Sequence, residues 1–167
     1  MHGSEAPSPW VERWAPLIRH GTVLDVACGG GRHARYFLGR GLNVVAVDRA
    51  ARQIPGVRFV QADLEDGSGW PLPGEQFEGV VVTNYLNRGI FPEIEKSLKP
   101  GGVLIYETFM LGNERFGKPS NPAFLLRPGE LRECFGGLTV QAFEEGEVAA
   151  PKRAMIQRLC AVRAGKG

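Results

Sequence analysis

Short, unbroken apolar runs alternate along this chain with stretches in which apolar residues return every third or fourth position. Runs of the first kind cover residues 22–27, 43–48, 57–62, 77–83 and 103–109. Being apolar on both faces, they read as strands covered by helices on either side. Helical spacing marks residues 10–20, 32–40 and 91–98. Ser8 and Gly21 bracket the first of these as cap and stop, with an interruption near Pro16; Gly41 closes the second, and the Lys99–Pro100–Gly101–Gly102 turn ends the third. A brief helical turn is predicted after Asp48, broken at Pro55 and Gly56, while residues 65–75, with two prolines and three glycines, read as loop.

The rhythm changes near the end. A long loop over residues 110–126 leads to a short helix at 127–135, with Pro128 suited to its first turn, and then to strands at 138–144 and 154–163 with no helix between them. Consecutive strands so connected pair antiparallel or lie apart, because a parallel pair needs a long crossover. The expectation is an α/β fold, a Rossmann-like three-layer sandwich whose seven-stranded, mostly parallel sheet has one antiparallel C-terminal strand. Residues 1–167 are expected to form a single domain, with residues 1–21 as an N-terminal helical extension. The first dozen residues, carrying Pro7 and Pro9, read as loose.

Composition narrows the function. At 167 residues, 43% hydrophobic and 23% charged, the chain suits one globular domain and argues against disorder. Twenty basic against 18 acidic side chains give a net charge of +2, so no broad basic face is implied; nucleic acid is disfavoured as a partner, although a local patch stays open. Cys28, Cys134 and Cys160 are odd in number and widely spaced, with no Cys/His pattern for a metal and no disulfide framework. With no signal-peptide pattern and no apolar run of membrane-spanning length, a soluble, cytoplasmic protein with reduced thiols, no metal and no membrane partner is expected. Oligomeric state stays open.

The chemistry concentrates in residues 23–31 (VLDVACGGG). Glycines at the end of a first strand let the backbone turn sharply and approach a ligand, and the helix that follows offers unpaired N–H groups. Asp48, 17 residues beyond Gly31, ends the second strand, where a carboxylate can accept both hydroxyls of a ribose. Residues 29–34 (GGGRHA) also satisfy the dinucleotide fingerprint, which keeps a nicotinamide oxidoreductase in play. Asp25 argues against it: a carboxylate separated from the glycines by only three residues adds repulsion beside a pyrophosphate. It suits instead a ligand bearing an ammonium and a sulfonium. Asp25 can equally cap local backbone N–H groups.

These residues resemble motif I and its acidic partner in class I S-adenosylmethionine-dependent methyltransferases. Residues 61–64 (QADL) resemble the loop that flanks the adenine in that family, and residues 98–105 (LKPGGVLI) resemble its turn into the fifth strand. The matches span residues 22–109, and residues 31–36 (GRHARY) look most similar to the compact tellurite-resistance and thiopurine-methyltransferase-like group. Two departures are Ala27, where many members have glycine, and the short segment after Asp48, which leaves the adenine side thinly covered. The resemblance implies S-adenosylmethionine as cofactor. It places Asp25, Ala27, Cys28, Gly29 and Gly31 around the methionine end, Asp48 on the ribose, Arg49 beside the adenine, Asp63 and Leu64 at the adenine edge, and Thr83 and Asn84 near the sulfonium. A module that binds the cofactor without catalysis is the remaining alternative.

The acceptor is expected beyond the fourth and fifth strands. Asn84 and Tyr85 are the candidate catalytic residues there; residues 84–88 (NYLNR) lack the Asn/Asp-Pro-Pro-aromatic motif of methyltransferases acting on DNA bases or protein glutamine. A small-molecule acceptor follows, of unidentified chemistry, with Phe109, Arg115 and Phe116 in the long loop available to cover it. His33 reads as a helix-start residue facing solvent or the cofactor carboxylate.

Overall fold

A computed structural model describes residues 5–165. Its elements are helix α1 (Pro9–Trp14), strand β1 (Thr22–Val26), helix α2 (Arg32–Gly39), strands β2 (Asn43–Asp48), β3 (Arg58–Gln61) and β4 (Phe77–Thr83), helix α3 (Phe91–Lys96), strand β5 (Leu98–Phe109), helix α4 (Glu130–Cys134), and strands β6 (Thr139–Val148) and β7 (Ala154–Val162). One seven-stranded sheet runs β3-β2-β1-β4-β5-β7-β6. Strands β1 to β5 are parallel, and β7 inserts antiparallel between β5 and β6. This is the Rossmann-like sandwich with one reversed strand that the apolar pattern predicts.

The alternation of side chains along β1 sends Val23 and Asp25 to one face and Leu24 and Val26 to the other. On the first face, Trp10 and Val11 of α1 and Ala34 and Phe37 of α2 pack over Val23, Val44, Ala46, Val81 and Ile105. On the second, Phe91 and Ile94 of α3, Leu131 of α4 and the neighbouring Phe135 cover Leu24, Val26, Val80, Val82, Leu104 and Tyr106. Both layers are built from buried apolar side chains, so the strands tolerate few polar residues. Asp25, 1% exposed within β1, is therefore conspicuous.

Several expectations are corrected. The helical turn after Asp48 is absent: residues 49–57 cross to β3 without a helix, and β3 is left half-exposed. The helix predicted over residues 10–20 stops at Leu17; it is interrupted as expected near Pro16, passing from α1 into a 3-10 turn at Ala15–Leu17, because Pro16 has no N–H to donate. Strand β5 begins at Leu98, which pairs with Phe77 before the register shifts and resumes at Gly79 and Val103. Gly102 lies in that bulge, where a Cβ would come within 2.8 Å of the Lys99 carbonyl oxygen. Strand β6 continues to Val148 through Glu144, Glu145 and Glu147, a polar edge with no apolar signal. Finally, the chain is already held in place at Ser8. Ser8 caps α1 at Trp10 N (3.1 Å) and is buried; of the first dozen residues, 1–4 lie outside the described part.

Candidate active site

The carboxyl ends of β1, β2, β4 and β5 converge on one side of the sheet. After β1 the chain turns through Ala27 (φ +56°), Gly29 (φ +55°) and Gly31 (φ +93°). The turn is tied down by Cys28 N donating to Val47 O (2.9 Å) and Gly31 N to Cys28 O (3.0 Å). A Cβ on Gly31 would fall 2.8 Å from Ile54 Cδ1, whereas one on Gly29 or Gly30 would meet nothing within 4 Å. Gly31 is glycine chiefly for its left-handed backbone, with Ile54 packed against it, and Gly29 and Gly30 form an open cradle.

Ala27 carries a left-handed conformation that disfavours a side chain by about 1–2 kcal/mol. Ala27→Gly relieves that strain but adds freedom to the unfolded chain, worth about 0.4–1 kcal/mol. The melting temperature is expected to rise by about 2 °C. A fall would mean that contacts of the Ala27 methyl with the second core cluster outweigh the strain.

Asp25 lies beneath this turn. The backbone N–H of Ala34 favours its ionised carboxyl group, while Oδ2 is buried with no hydrogen-bond partner. Burial pushes the carboxyl up to about 7, against the Ala34 N–H and the Arg32 charge, which pull it down; Asp48 adds to the rise. An orphaned buried acceptor below an open glycine cradle fits a ligand that brings a cation or N–H donor.

A 480 Å³ cavity opens beside the turn, lined by Ala27, Asp48, Arg49, Asp63, Leu64, Asn84 and Tyr85 among others. Asp48 Oδ1 accepts from Gly29 N (3.4 Å), and Oδ2 accepts from Ala50 N (3.2 Å) and Arg52 Nε (3.4 Å). Asp63 Oδ1 accepts from Glu65 N (2.9 Å). With Asp48, Asp63 and Glu65 against Arg49, the lining is negative. The structure therefore gathers six of the sequence-predicted cofactor residues around one cavity: Ala27, Asp48, Arg49, Asp63, Leu64 and Asn84. The other five are not in its lining. Asp25 and Cys28 are buried under the turn, Gly29 touches the cavity through Asp48, Gly31 packs on Ile54, and Thr83 Oγ1 lies 3.3 Å from His33 Nδ1. The Cys28 thiol, pushed up to about 12 mainly by burial, is a packing group.

The two catalytic candidates separate. Tyr85 donates its phenol proton to Glu65 Oε2 (3.0 Å) and accepts from Asn87 Nδ2 (3.2 Å). Burial and Glu65 raise it to about 12 although Asn87 pulls the other way, so it remains a neutral phenol at physiological pH. Asn84, exposed at the end of β4 with φ +55°, is fixed by its N–H to Glu107 O (2.9 Å).

Asn84 and Phe109 also border a second cavity of 680 Å³, closed by residues 5–9, Phe116, Lys118 and residues 150–154. Phe109 and Phe116 line it as the sequence suggests, whereas Arg115 stacks on Phe116 at 5.0 Å. A relay holds the N-terminal wall. Ser8 N donates to His33 Nε2 (3.0 Å), Ser8 Oγ donates to Glu107 Oε1 (2.6 Å), and Arg158 Nε donates to Glu107 Oε2 (2.5 Å). His33 is thus 2% exposed and does not face solvent. Accepting at Nε2 places its proton on Nδ1, toward Thr83, and burial, aided by Arg32, holds the ring down at about 4. Sequence reasoning missed Ser8 and Arg158 as parts of this wall, because neither sits in a motif or on a periodic face.

The family model for a methyltransferase domain matches residues 24–106. The chain belongs to the methyltransferase-domain family. Among the curated relatives of this domain, malonyl-[acyl-carrier protein] O-methyltransferase of Enterobacter lignolyticus is 32% identical over 56% of this chain and 41% of its own. The tRNA U34 carboxymethyltransferase of Shewanella piezotolerans is 30% identical over 75% of this chain and 48% of its own. The chain spans less than half the length of these relatives. The solved structure of TehB from Haemophilus influenzae shares the fold, with a TM-score of 0.76 and 18% identity over 97% of this chain and 64% of that one. Among the described residues, no helix is long and apolar enough to cross a membrane.

Proposed function

We propose that this methyltransferase domain binds S-adenosylmethionine in the 480 Å³ cavity and transfers its methyl group to a small molecule, that residues 1–167 work as one domain, and that the protein acts in the cytoplasm. The observation that carries this reading is the sign of the cavity. With Asp48 paired to Arg52, the carboxylates of Asp63 and Glu65 still outnumber Arg49 in the lining, and above an unpartnered Asp25 oxygen they suit a cationic nucleoside and repel a pyrophosphate. That weighs against the nicotinamide alternative.

In this reading Asp25, Ala27, Cys28, Gly29 and Gly31 hold the methionine end, with Asp25 and Cys28 acting from beneath the turn. Asp48 takes the ribose hydroxyls, Arg49, Asp63 and Leu64 flank the adenine, and Thr83 and Asn84 stand toward the sulfur. When bound, the cofactor supplies a methyl group on a sulfonium, whose carbon–sulfur electron pair returns to sulfur as the acceptor's lone pair takes the methyl. The chain's own task is to align the two ligands and exclude water; orientation alone contributes about 7–11 kcal/mol. Tyr85, raised to about 12 and bonded to Glu65, shapes the cofactor side and takes no proton at neutral pH.

Thermal melts test the assignment. S-adenosylhomocysteine at a hundredfold over its dissociation constant is expected to stabilise the protein by about 2.7 kcal/mol, a shift of several degrees, and NADH to leave it unmoved. A shift with NADH alone overturns the reading. Labelled cofactor with a panel of small acceptors separates an enzyme from a silent binding module.

A further inference from the structure

We propose that the 680 Å³ cavity is the acceptor site and that it takes a small organic carboxylate with an apolar body. The inference rests on the cofactor reading above, since it takes the neighbouring cavity as the source of the methyl group. The two cavities share Asn84 and Phe109 in their linings, so a ligand in each would meet at the end of β4 and β5.

Their charges are opposite. Arg32, Lys118, Lys152, Arg153 and Arg158 border the second cavity, against Glu5, Glu12 and Glu107. Arg158 is neutralised by Glu107 and Glu144, and Arg153 by Glu147. Among the described residues, Arg32, Lys118 and Lys152 have no carboxylate within salt-bridge distance; Arg32 donates only to the Ala6 carbonyl (3.2 Å). Cations therefore remain in excess even with Glu5 and Glu12 present. Between them the wall is apolar, built from Pro7, Pro9, Phe109, Phe116 and Ile156. An anion carried on a hydrocarbon body matches both features.

The chemistry of the shared wall narrows the anion. Three titratable groups around the shared wall are already engaged: His33 through both ring nitrogens, Glu107 through both oxygens, and Tyr85 through Glu65 and Asn87. None of these three is free to take a proton from an acceptor, which leaves only the carboxylates of Glu5 and Glu12 in the lining of the second cavity. An alcohol, a thiol, a phenol or an ammonium must lose one before or during transfer, whereas a carboxylate is already ionised at neutral pH. An ammonium would also face the unpaired cations. Charge and proton accounting select the same class.

Calorimetry in the presence of saturating S-adenosylhomocysteine tests this with phenylacetate, hexanoate and succinate, each against its neutral amide. At least one acid is expected to bind about tenfold or more tightly than its amide, and to lose about tenfold in the Lys118→Glu/Lys152→Glu double variant and in high salt. Both lysines are exposed, so folding is unaffected, and S-adenosylhomocysteine affinity should be unchanged in the variant. If S-adenosylhomocysteine binds but no acid outcompetes its amide, or the variant binds the acid as well as the wild type, the acceptor inference is wrong and the cofactor reading stands. Failure of S-adenosylhomocysteine itself to bind removes the cofactor reading and, with it, this inference.

Discussion

Asp25→Asn is expected to turn a nearly flat stability profile between pH 5 and pH 8 into one that climbs with pH. Two buried groups work against each other in this window. The Asp25 carboxyl is raised from 3.8 to about 7, so the unfolded chain releases its proton at lower pH than the folded one does. Its contribution is greatest at low pH, falls as pH rises through the window, and changes little above 7; linkage puts the loss between pH 5 and 8 at about 2–3 kcal/mol. His33 is held down from 6.5 to about 4, so the unfolded chain takes up a proton that the folded ring refuses. Its contribution is fully present above 6.5 and is lost as pH falls toward 4, about 2 kcal/mol over the same window. The slopes nearly cancel in the wild type. Asp25→Asn unmasks the rise from His33, and His33→Gln should unmask the fall from Asp25. Urea titrations at half-unit pH steps read both; a flat profile in the Asp25 variant would show that the His33 ring titrates normally, and a profile unchanged from the wild type would show that the Asp25 carboxyl does.

The same pair shows which parts of this protein are legible in sequence. Asp25 announces itself because a carboxylate inside an apolar strand contradicts its surroundings, and the structure confirms the contradiction as a buried group with an unpartnered oxygen. The parallel strands are equally plain, because Val-rich runs buried on both faces have few other solutions. The reversal of β7 is readable from the missing helix between two strands. His33 is different: its environment depends on Ser8, 25 positions earlier, in a proline-containing segment with no periodicity. The acceptor wall fails to appear for the same reason, since Ser8, Glu107 and Arg158 meet only once β5 and β7 have paired. Local signals carry elements and turns. Contacts between distant irregular segments leave no such trace, and here they shape the second cavity.

Asp48→Ala is expected to weaken S-adenosylhomocysteine binding by about tenfold or more, which is the loss of one charged partner to hydroxyl donors. The carboxylate sits at the end of β2 with three hydrogen bonds at 3.2–3.4 Å, each at or beyond the long end of the normal range. Bonds this long are readily exchanged for ribose hydroxyls, and a carboxylate has acceptor capacity left over. The variant also releases Gly29 N and Arg52, so a lower affinity could reflect a loosened turn and not a lost ribose contact. A cofactor analogue lacking both ribose hydroxyls separates the two. The wild type should lose about tenfold on moving to the analogue, and the Asp48→Ala protein, with nothing left to lose at that position, should bind both nucleosides alike. A loosened turn predicts the reverse, a variant that is weaker for both ligands yet discriminates between them as strongly as the wild type does. Asp48→Asn, which keeps one oxygen acceptor, should fall between. The ribose assignment does not survive if removing the hydroxyls and removing the carboxylate turn out to be additive, because two groups that touch cannot lose their contact twice.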